Sequence, residues 1–143
     1  STRSAASTGG TCDPRSPANV THFTGIVRAG LGDCAQYIER FSETYREATG
    51  ADLFPGTLNV ELECEWRSPG WAWRVDLRPH GGAVVALITP CSLAGNPAFV
   101  IRTLANEGGW GDHPRTIVEI AAAEHLRSRH GLADGDEVAL DLP

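Results

Sequence analysis

The sequence predicts a mainly β protein, a closed barrel of short strands with two short helices. Most of the chain after residue 20 consists of short segments in which apolar and polar residues alternate or β-branched residues cluster. Gly, Pro and Asn residues separate these segments, and apolar residues at helical spacing occur in only two places. Many short strands with few helices are typical of a closed barrel rather than of a parallel α/β sheet.

The length and composition are those of one globular domain. The chain has 143 residues, 41% of them hydrophobic, and it lacks an apolar run of the roughly 18 residues that a membrane helix needs. We expect the domain over residues 20–143, after a flexible tail over residues 1–19 that is rich in Ser, Thr, Gly, Ala and Pro. The net charge of −6 argues against a nucleic-acid partner, which needs a basic face. A cytoplasmic monomer without membrane contact is expected.

The cysteines and basic residues restrict the chemistry further. Four widely spaced cysteines include no Cys-x-x-Cys pair, so we expect free thiols and no zinc finger. All 12 basic residues are arginine. A Walker A loop and a standard protein-kinase site both need a lysine on the phosphates, so neither is possible here.

The first predicted elements are a strand and a helix. The strand covers residues 21–28 (THFTGIVR), and a glycine-containing turn follows at residues 30–32. A helix is predicted over residues 35–49, where apolar residues recur every three or four positions, and Gly50 ends it. The residues of this apolar face are Tyr37, Ile38, Phe41 and Tyr45.

The clearest strand signal lies at residues 57–65 (TLNVELECE). Leu58, Val60, Leu62 and Cys64 alternate there with polar residues, so a strand buries this set and presents the other to a cleft or to solvent. Further strands are predicted at residues 72–77, 83–88, 98–103 and 116–121.

The C-terminal part of the chain predicts a helix, a turn and a strand. The helix covers residues 122–129, with Gly131 placed to form its left-handed cap. A tight turn is predicted at residues 134–136 (DGD), before a last strand at residues 137–142.

Three segments carry a resemblance to a known family. They are residues 30–33 (GLGD), residues 55–60 (PGTLNV) and residues 119–136 (EIAAAEHLRSRHGLADGD). In this order and spacing the chain resembles the CTP-dependent riboflavin kinases. The resemblance implies a compact six-stranded cradle-loop β-barrel that transfers the γ-phosphate of CTP to the 5′-hydroxyl of riboflavin, giving FMN and CDP, with Mg²⁺ as cofactor.

The resemblance implies that Thr57 and Asn59 are the metal ligands. Residues two apart on a strand point the same way, so these two side chains can offer two neutral oxygens to one Mg²⁺. The alternative interpretation is that they are ordinary polar residues on the outer face of a half-buried strand.

Two segments are implied to bind the nucleotide. The first is a glycine-containing loop whose backbone N–H groups can approach phosphate, formed by Gly30, Leu31, Gly32, Asp33, Cys34 and Ala35. The second is Glu124, His125, Leu126 and Arg127, where Arg127 can make paired hydrogen bonds to phosphate. Alternatively, these segments are a plain turn and a solvated helix face. Asp33, Cys34 and Ala35 depart from the commonest family pattern.

The acceptor side is implied to contain Glu119 and Gly111. Glu119 is a candidate general base or positioning group for the attacking hydroxyl, and its alternative role is a helix cap. Gly108–Gly111 departs from the family pattern, so phosphorylation of another small alcohol is a second hypothesis, and a non-catalytic flavin- or nucleotide-binding barrel is a third. His113 is a single histidine and does not by itself identify a functional site. Trp110, Trp71 and Trp73 can stack on a flavin ring or fill a core.

Overall fold

The fold of the chain is given by a computed structural model that describes residues 11–12, 21–30, 34–109 and 114–143. Within these residues it contains nine strands, four short helices and one 3₁₀ turn at Arg78–His80. The strands are β1 (Thr11–Cys12), β2 (His22–Arg28), β3 (Leu58–Leu62), β4 (Glu65–Trp66), β5 (Trp73–Asp76), β6 (Val85–Leu93), β7 (Asn96–Thr103), β8 (Ile117–Ala121) and β9 (Glu137–Asp141). The helices are α1 (Cys34–Arg40), α2 (Ser42–Thr49), α3 (Leu104–Gly108) and α4 (Leu126–His130).

Six antiparallel strands close into a barrel. Their order is β6-β7-β8-β3-β2-β9, and β9 pairs back with β6 through Ser92↔Asp141 and Leu93↔Leu140. Strand β5 extends the sheet from β6, and β1 pairs separately with β4. The predicted mainly β fold with a six-stranded barrel is therefore confirmed.

Alternating side chains of the barrel strands form the interior core. In β3 the apolar set predicted from the sequence, Leu58, Val60 and Leu62, is buried with Trp66 and the inward residues of the other strands. Burying an aliphatic or aromatic side chain contributes about 1.5–3 kcal/mol, so this layer dominates the stability of the barrel. The strand itself is shorter than the predicted segment and begins after Thr57.

Helices α1 and α2 cover part of the outer face of the barrel. Ile38, Phe41 and Tyr45 pack there against outward residues of β5 to β8, including Ile88 and Ile101. The sequence predicted a single helix over residues 35–49, but the backbone leaves helical geometry at Phe41. Periodicity does not reveal this break, because the apolar face continues through it. Gly50 ends α2 with a φ of 75°, as predicted.

The hairpin formed by β6 and β7 is longer than predicted. The sequence suggested strands at residues 83–88 and 98–103, because Pro90 and Pro97 resemble strand ends. In the structure the two strands pair from Ala86↔Thr103 to Leu93↔Asn96. Ala94 and Gly95 form the two-residue connection, and both have positive φ angles, 50° and 84°. Such a connection matches the twist of the paired strands.

Both helices after β7 differ from the sequence prediction. Helix α3 was not predicted, because five residues are too few to show a period. Helix α4 begins at Leu126 rather than at residue 122, and Gly131 caps it in the left-handed conformation, as expected. Among the described residues, no helix is long and apolar enough to cross a membrane.

The structure does not test the boundary of the predicted tail. Residues 1–10 and 13–20 lie outside the described residues, while Thr11–Cys12 pairs with β4, so the boundary at residue 19 stays a prediction.

Cys34 and Cys91 are free thiols, as predicted. Cys64 is disulfide-bonded, so the prediction of a free thiol is wrong there. Its spacing from the other cysteines gave no signal, because a disulfide depends on proximity in the fold.

Candidate functional site

The two predicted metal ligands and the predicted acceptor-side carboxylate meet on neighbouring strands. Strands β3 and β8 are antiparallel, with Asn59 directly opposite Glu119. The Thr57 hydroxyl donates a hydrogen bond of 2.9 Å to Oε2 of Glu119. Thr57, Asn59 and Glu119 are called the oxygen cluster below.

The side-chain oxygen of Asn59 lacks a hydrogen-bond partner within the described structure. It is 5% exposed, and its Oδ1 accepts no hydrogen bond from the described residues. A buried oxygen left in this state costs about 1–3 kcal/mol. Thr57 directs its proton to Glu119, which leaves the lone pairs of its oxygen available. The two side chains therefore fit part of the ligand shell of a hard divalent cation, which binds through oxygen atoms.

The helical layer gives the oxygen cluster an apolar border. Burial raises the pKa of the Cys34 thiol well above its usual value, and the charge and hydrogen bond of Glu119 raise it further. Burial also raises the pKa of Tyr45, with smaller contributions from the charges of Cys34, Glu119 and Tyr37. Both groups are therefore neutral near pH 7.

The first predicted nucleotide segment joins two points beside the oxygen cluster. Arg28, at the end of β2, pairs with Asn59, and Cys34, at the start of α1, lies against Glu119. The predicted residues Gly30 and Ala35 are described and lie at the two ends of this connection, Gly30 exposed and Ala35 partly buried in α1. Leu31, Gly32 and Asp33 lie outside the described residues.

The second predicted nucleotide segment places His125 beside the turn that precedes Thr57. The His125 ring lies 5.0 Å from the ring of Phe54, and its Nδ1 is 2.7 Å from the Ser128 hydroxyl. A Cβ on Gly56 would come within 2.8 Å of Phe54 Cε2 and 3.2 Å of His125 Cδ2. Only glycine fits there without a shift, so residue 56 lets these two rings approach the backbone.

The other residues of that segment point in different directions. Leu126 is 3% exposed in the barrel core, as the sequence predicted for its side chain. Glu124 forms an ion pair of 3.1 Å with Arg129 on the exposed helix surface. Nη2 of Arg127 donates to the Arg28 carbonyl at 3.2 Å and to Oδ1 of Asp134 at 2.6 Å. Sequence reasoning did not identify Asp134, because its ion pair with Arg127 depends on the turn between them.

The acceptor side is only partly described. Trp110, Gly111 and His113 lie outside the described residues. Trp73 is 38% exposed and its ring centroid lies 6.1 Å from that of Phe99. Its strand register places it on the outer face of the sheet in line with Ile88, Ile101 and Glu119.

Trp73 and Trp66 do not join the oxygen cluster. The backbone of Trp73 is three strand spacings, about 14 Å, from that of Glu119. Ile88 and Ile101 lie between them and are buried beneath the helices. Trp71 is also exposed, whereas Trp66 is a core residue whose Nε1 donates to Ser68. Neither the Trp73 ring nor the Trp66 ring lies against the cluster.

Two arginines fix the start of β8, the strand that carries Glu119. Arg102 is 2% exposed and donates to the carbonyls of Ile117 at 2.6 Å and Asn106 at 3.1 Å. Burial lowers its pKa, while the nearby charge of Glu107 acts in the opposite direction. Arg115 donates to the Gly108 carbonyl at 2.9 Å. The arginines tie α3 to β8, and no sequence signal identified this role.

A family model matches most of the chain. The family model for the CTP-dependent riboflavin kinase domain, described as domain of unknown function DUF120, matches residues 27–142. The matched region contains the oxygen cluster and both predicted nucleotide segments.

Several archaeal proteins named riboflavin kinase are similar to the chain. That of Methanospirillum hungatei is 29% identical over 132 residues, which is 84% of this chain and 57% of that protein. That of Thermococcus kodakarensis is 31% identical over 132 residues, covering 84% and 58%. That of Methanopyrus kandleri is 28% identical over 134 residues, covering 84% and 86%. The chain thus spans a little over half the length of some relatives. Because the family model matches most of its length, the chain belongs to the CTP-dependent riboflavin kinase family.

Proposed function

We propose that the chain is a kinase that transfers the γ-phosphate of CTP to the 5′-hydroxyl of riboflavin, giving FMN and CDP. Membership of the family and the names of its relatives support the reaction. The observation that carries it in this chain is the buried, unpartnered Oδ1 of Asn59 beside the Thr57 hydroxyl. A kinase without lysine needs another source of positive charge at the phosphates.

Thr57 and Asn59 would hold Mg²⁺ in this proposal. When bound, the ion would neutralise charge on the phosphate oxygens of the donor. Asn59 is held by its place in β3, and its oxygen is already free of competing donors among the described residues. Thr57 is oriented by its hydrogen bond to Glu119. The two oxygens are therefore organised before the ion arrives, which lowers the cost of ordering them.

Glu119 would act at the acceptor hydroxyl. It accepts the Thr57 hydrogen bond through Oε2, and a carboxylate can also accept a hydrogen bond from the attacking hydroxyl. Phosphoryl transfer through a loose transition state requires alignment more than proton removal. We therefore assign Glu119 the role of orienting both hydroxyls, with proton acceptance late in the transfer.

The nucleotide would bind between the segment that starts at Gly30 and the segment Glu124–Arg127. The first joins β2 to α1 beside the oxygen cluster, and the second places His125 next to Gly56. Arg127 supplies fixed positive charge from a partly exposed position. Backbone N–H groups near Gly30 would complete the phosphate contacts.

A matrix of donors and acceptors tests the function. The protein is mixed with MgCl₂ and with CTP, UTP, ATP or GTP in turn, and each donor is combined with riboflavin or without it. We expect FMN and CDP with CTP plus riboflavin, detected by chromatography and flavin fluorescence. EDTA should stop the reaction. Binding of CTP and riboflavin without any FMN would contradict catalysis.

A second candidate is a CTP-dependent kinase for a different small alcohol. The segment Gly108–Gly111 favours it, because this sequence departs there from the pattern the family uses beside the flavin. A donor site of the same kind can serve a different acceptor. CTP turnover that requires another polyol, with riboflavin inert, would support this candidate over riboflavin kinase.

A further inference from the structure

The Arg127 guanidinium is held by two acceptors from two different parts of the chain. Its Nη2 donates to the Arg28 carbonyl at the end of β2 and to Oδ1 of Asp134 in the turn before β9. The pair with Asp134 is short, 2.6 Å, and the side chains are 31% and 58% exposed. One nitrogen of the guanidinium is thereby fixed in position.

The turn that carries Asp134 is itself attached to β2. The Gly135 amide donates to the Val27 carbonyl at 2.8 Å, and the Val27 amide donates to the Asp136 carbonyl at 2.8 Å. Asp136 Oδ2 accepts from the Ala133 amide at 2.8 Å. Gly135 has a φ of 94°, which other residues rarely adopt. Asp134 therefore rests on a well-defined backbone.

The Arg127 contacts lie close to the oxygen cluster. Arg28 pairs with Asn59, so the carbonyl that accepts from Arg127 belongs to the strand next to this predicted metal ligand. Nε and Nη1 of Arg127 have no hydrogen-bond partner within the described parts of the chain. These three remaining N–H groups can therefore bind an anion.

We propose that Asp134 is a positioning residue for the nucleotide: its carboxylate fixes Nη2 of Arg127 so that the other N–H groups face the phosphates of CTP. The inference rests on the proposed function. Asp134 also brings a negative charge near the phosphates. At 58% exposure this charge is screened by solvent, whereas the hydrogen bond fixes the guanidinium directly. The effect of Asp134 on the orientation of the Arg127 guanidinium therefore outweighs its repulsion of the phosphates.

Calorimetric titration of the full chain with CTP in MgCl₂ tests the inference. Asp134→Ala should weaken CTP binding about fivefold, the size of coupling seen between neighbours in one hydrogen-bond network. Asp134→Asn keeps an acceptor oxygen and should stay within about twofold of the original protein. The double variant Asp134→Ala/Arg127→Ala should bind no more weakly than Arg127→Ala, because Asp134 acts through Arg127.

Controls separate this role from a structural one. Asp52→Ala removes a similar exposed carboxylate that pairs with Arg46 at 2.8 Å, and it should not change CTP affinity. The KM for riboflavin should be unchanged in Asp134→Ala. If that variant does not fold, Asp134→Ser takes its place, because its side chain is one atom shorter and loses the hydrogen bond to Nη2 of Arg127; it should weaken CTP binding as Asp134→Ala does.

Three results would overturn the inference. They are CTP affinity in Asp134→Ala equal to or above that of the original protein, additive losses in the double variant, and an Arg127→Ala variant that binds CTP normally. If the original chain binds no CTP, the proposed function fails as well, and this outcome is distinct from the other three.

Discussion

Thr57 and Glu119 are 62 residues apart in sequence, yet the hydroxyl of one donates to the carboxylate of the other at 2.9 Å. The bond joins the residue just before β3 to the middle of β8, and Asn59 lies directly opposite Glu119. The carboxylate therefore organises the hydroxyl, and the hydroxyl oxygen keeps its lone pairs for a cation. Variants at these positions distinguish this arrangement from an ordinary polar strand surface.

Replacing Asn59 should separate activity from stability. Asn59→Leu removes the unpartnered oxygen, so in EDTA the free energy of unfolding should rise by about 1 kcal/mol. The same change should lower kcat/KM at least about 100-fold, because a metal ligand is lost. Urea unfolding and initial rates measure the two effects. Asn96→Ala on β7 is the matched control, and equal losses of activity in both variants would contradict the metal assignment.

Two Glu119 variants distinguish orientation from base catalysis. Glu119→Gln keeps an oxygen that accepts from Thr57, so we expect kcat to fall by no more than about tenfold. Glu119→Ala leaves Thr57 without its partner and should reduce kcat about 100-fold. Steady-state kinetics with saturating CTP and MgCl₂ give both values. If the Gln variant is as inactive as the Ala variant, proton removal by Glu119 is the essential step instead.

The Cys91 thiol should react slowly in the folded protein. Burial raises its pKa from 9.0 to about 12, so little thiolate is present at pH 8. Because the folded value lies above the unfolded one, its contribution to stability is fully present below pH 9 and declines between about pH 9 and pH 12. A chromogenic disulfide reagent at pH 8, with and without urea, measures the reactivity. Reaction of Cys91 as fast in the native state as in urea would refute the prediction.

Leu126 should matter for folding rather than for ligand contact. Its side chain is 3% exposed in the barrel core, so Leu126→Ala should lower the free energy of unfolding by about 2–5 kcal/mol. The KM for CTP of the folded fraction should stay near that of the original protein. Urea unfolding and kinetics below the transition check this. Arg129→Ala, on the exposed side of α4, serves as the control, and an equal loss of stability there would contradict the assignment.

The sequence predicted the barrel because most of its strands show their burial in local patterns. The alternation Leu58, Val60, Leu62 identified β3, and Gly50 and Gly131 marked the ends of two helices. The break at Phe41 and the full length of β6 escaped prediction. Tertiary packing decides both features, and neither changes the local apolar pattern.

The sequence predicted which residues form the candidate site, but not the contacts that hold them in place. Family motifs gave Thr57, Asn59 and Glu119, and the fold brings these three together. Asp134, Arg102 and the contact of Cys34 with Glu119 depend on strand register and turn geometry. Such contacts leave no periodic signal in the chain, because each one joins segments that are distant in sequence.

The pairing of β9 with both β2 and β6 has a consequence for the order of assembly. His22 in β2 lies opposite Asp141, and Leu93 in β6 lies opposite Leu140. Strand β9, which follows the other strands in the chain, therefore covers the edges of both β2 and β6. Until residues 137–141 are synthesised and docked, both edges offer unpaired N–H and C=O groups to other chains. A nascent or shortened polypeptide lacking them would be open to aggregation, and folding should wait for the last strand to leave the ribosome.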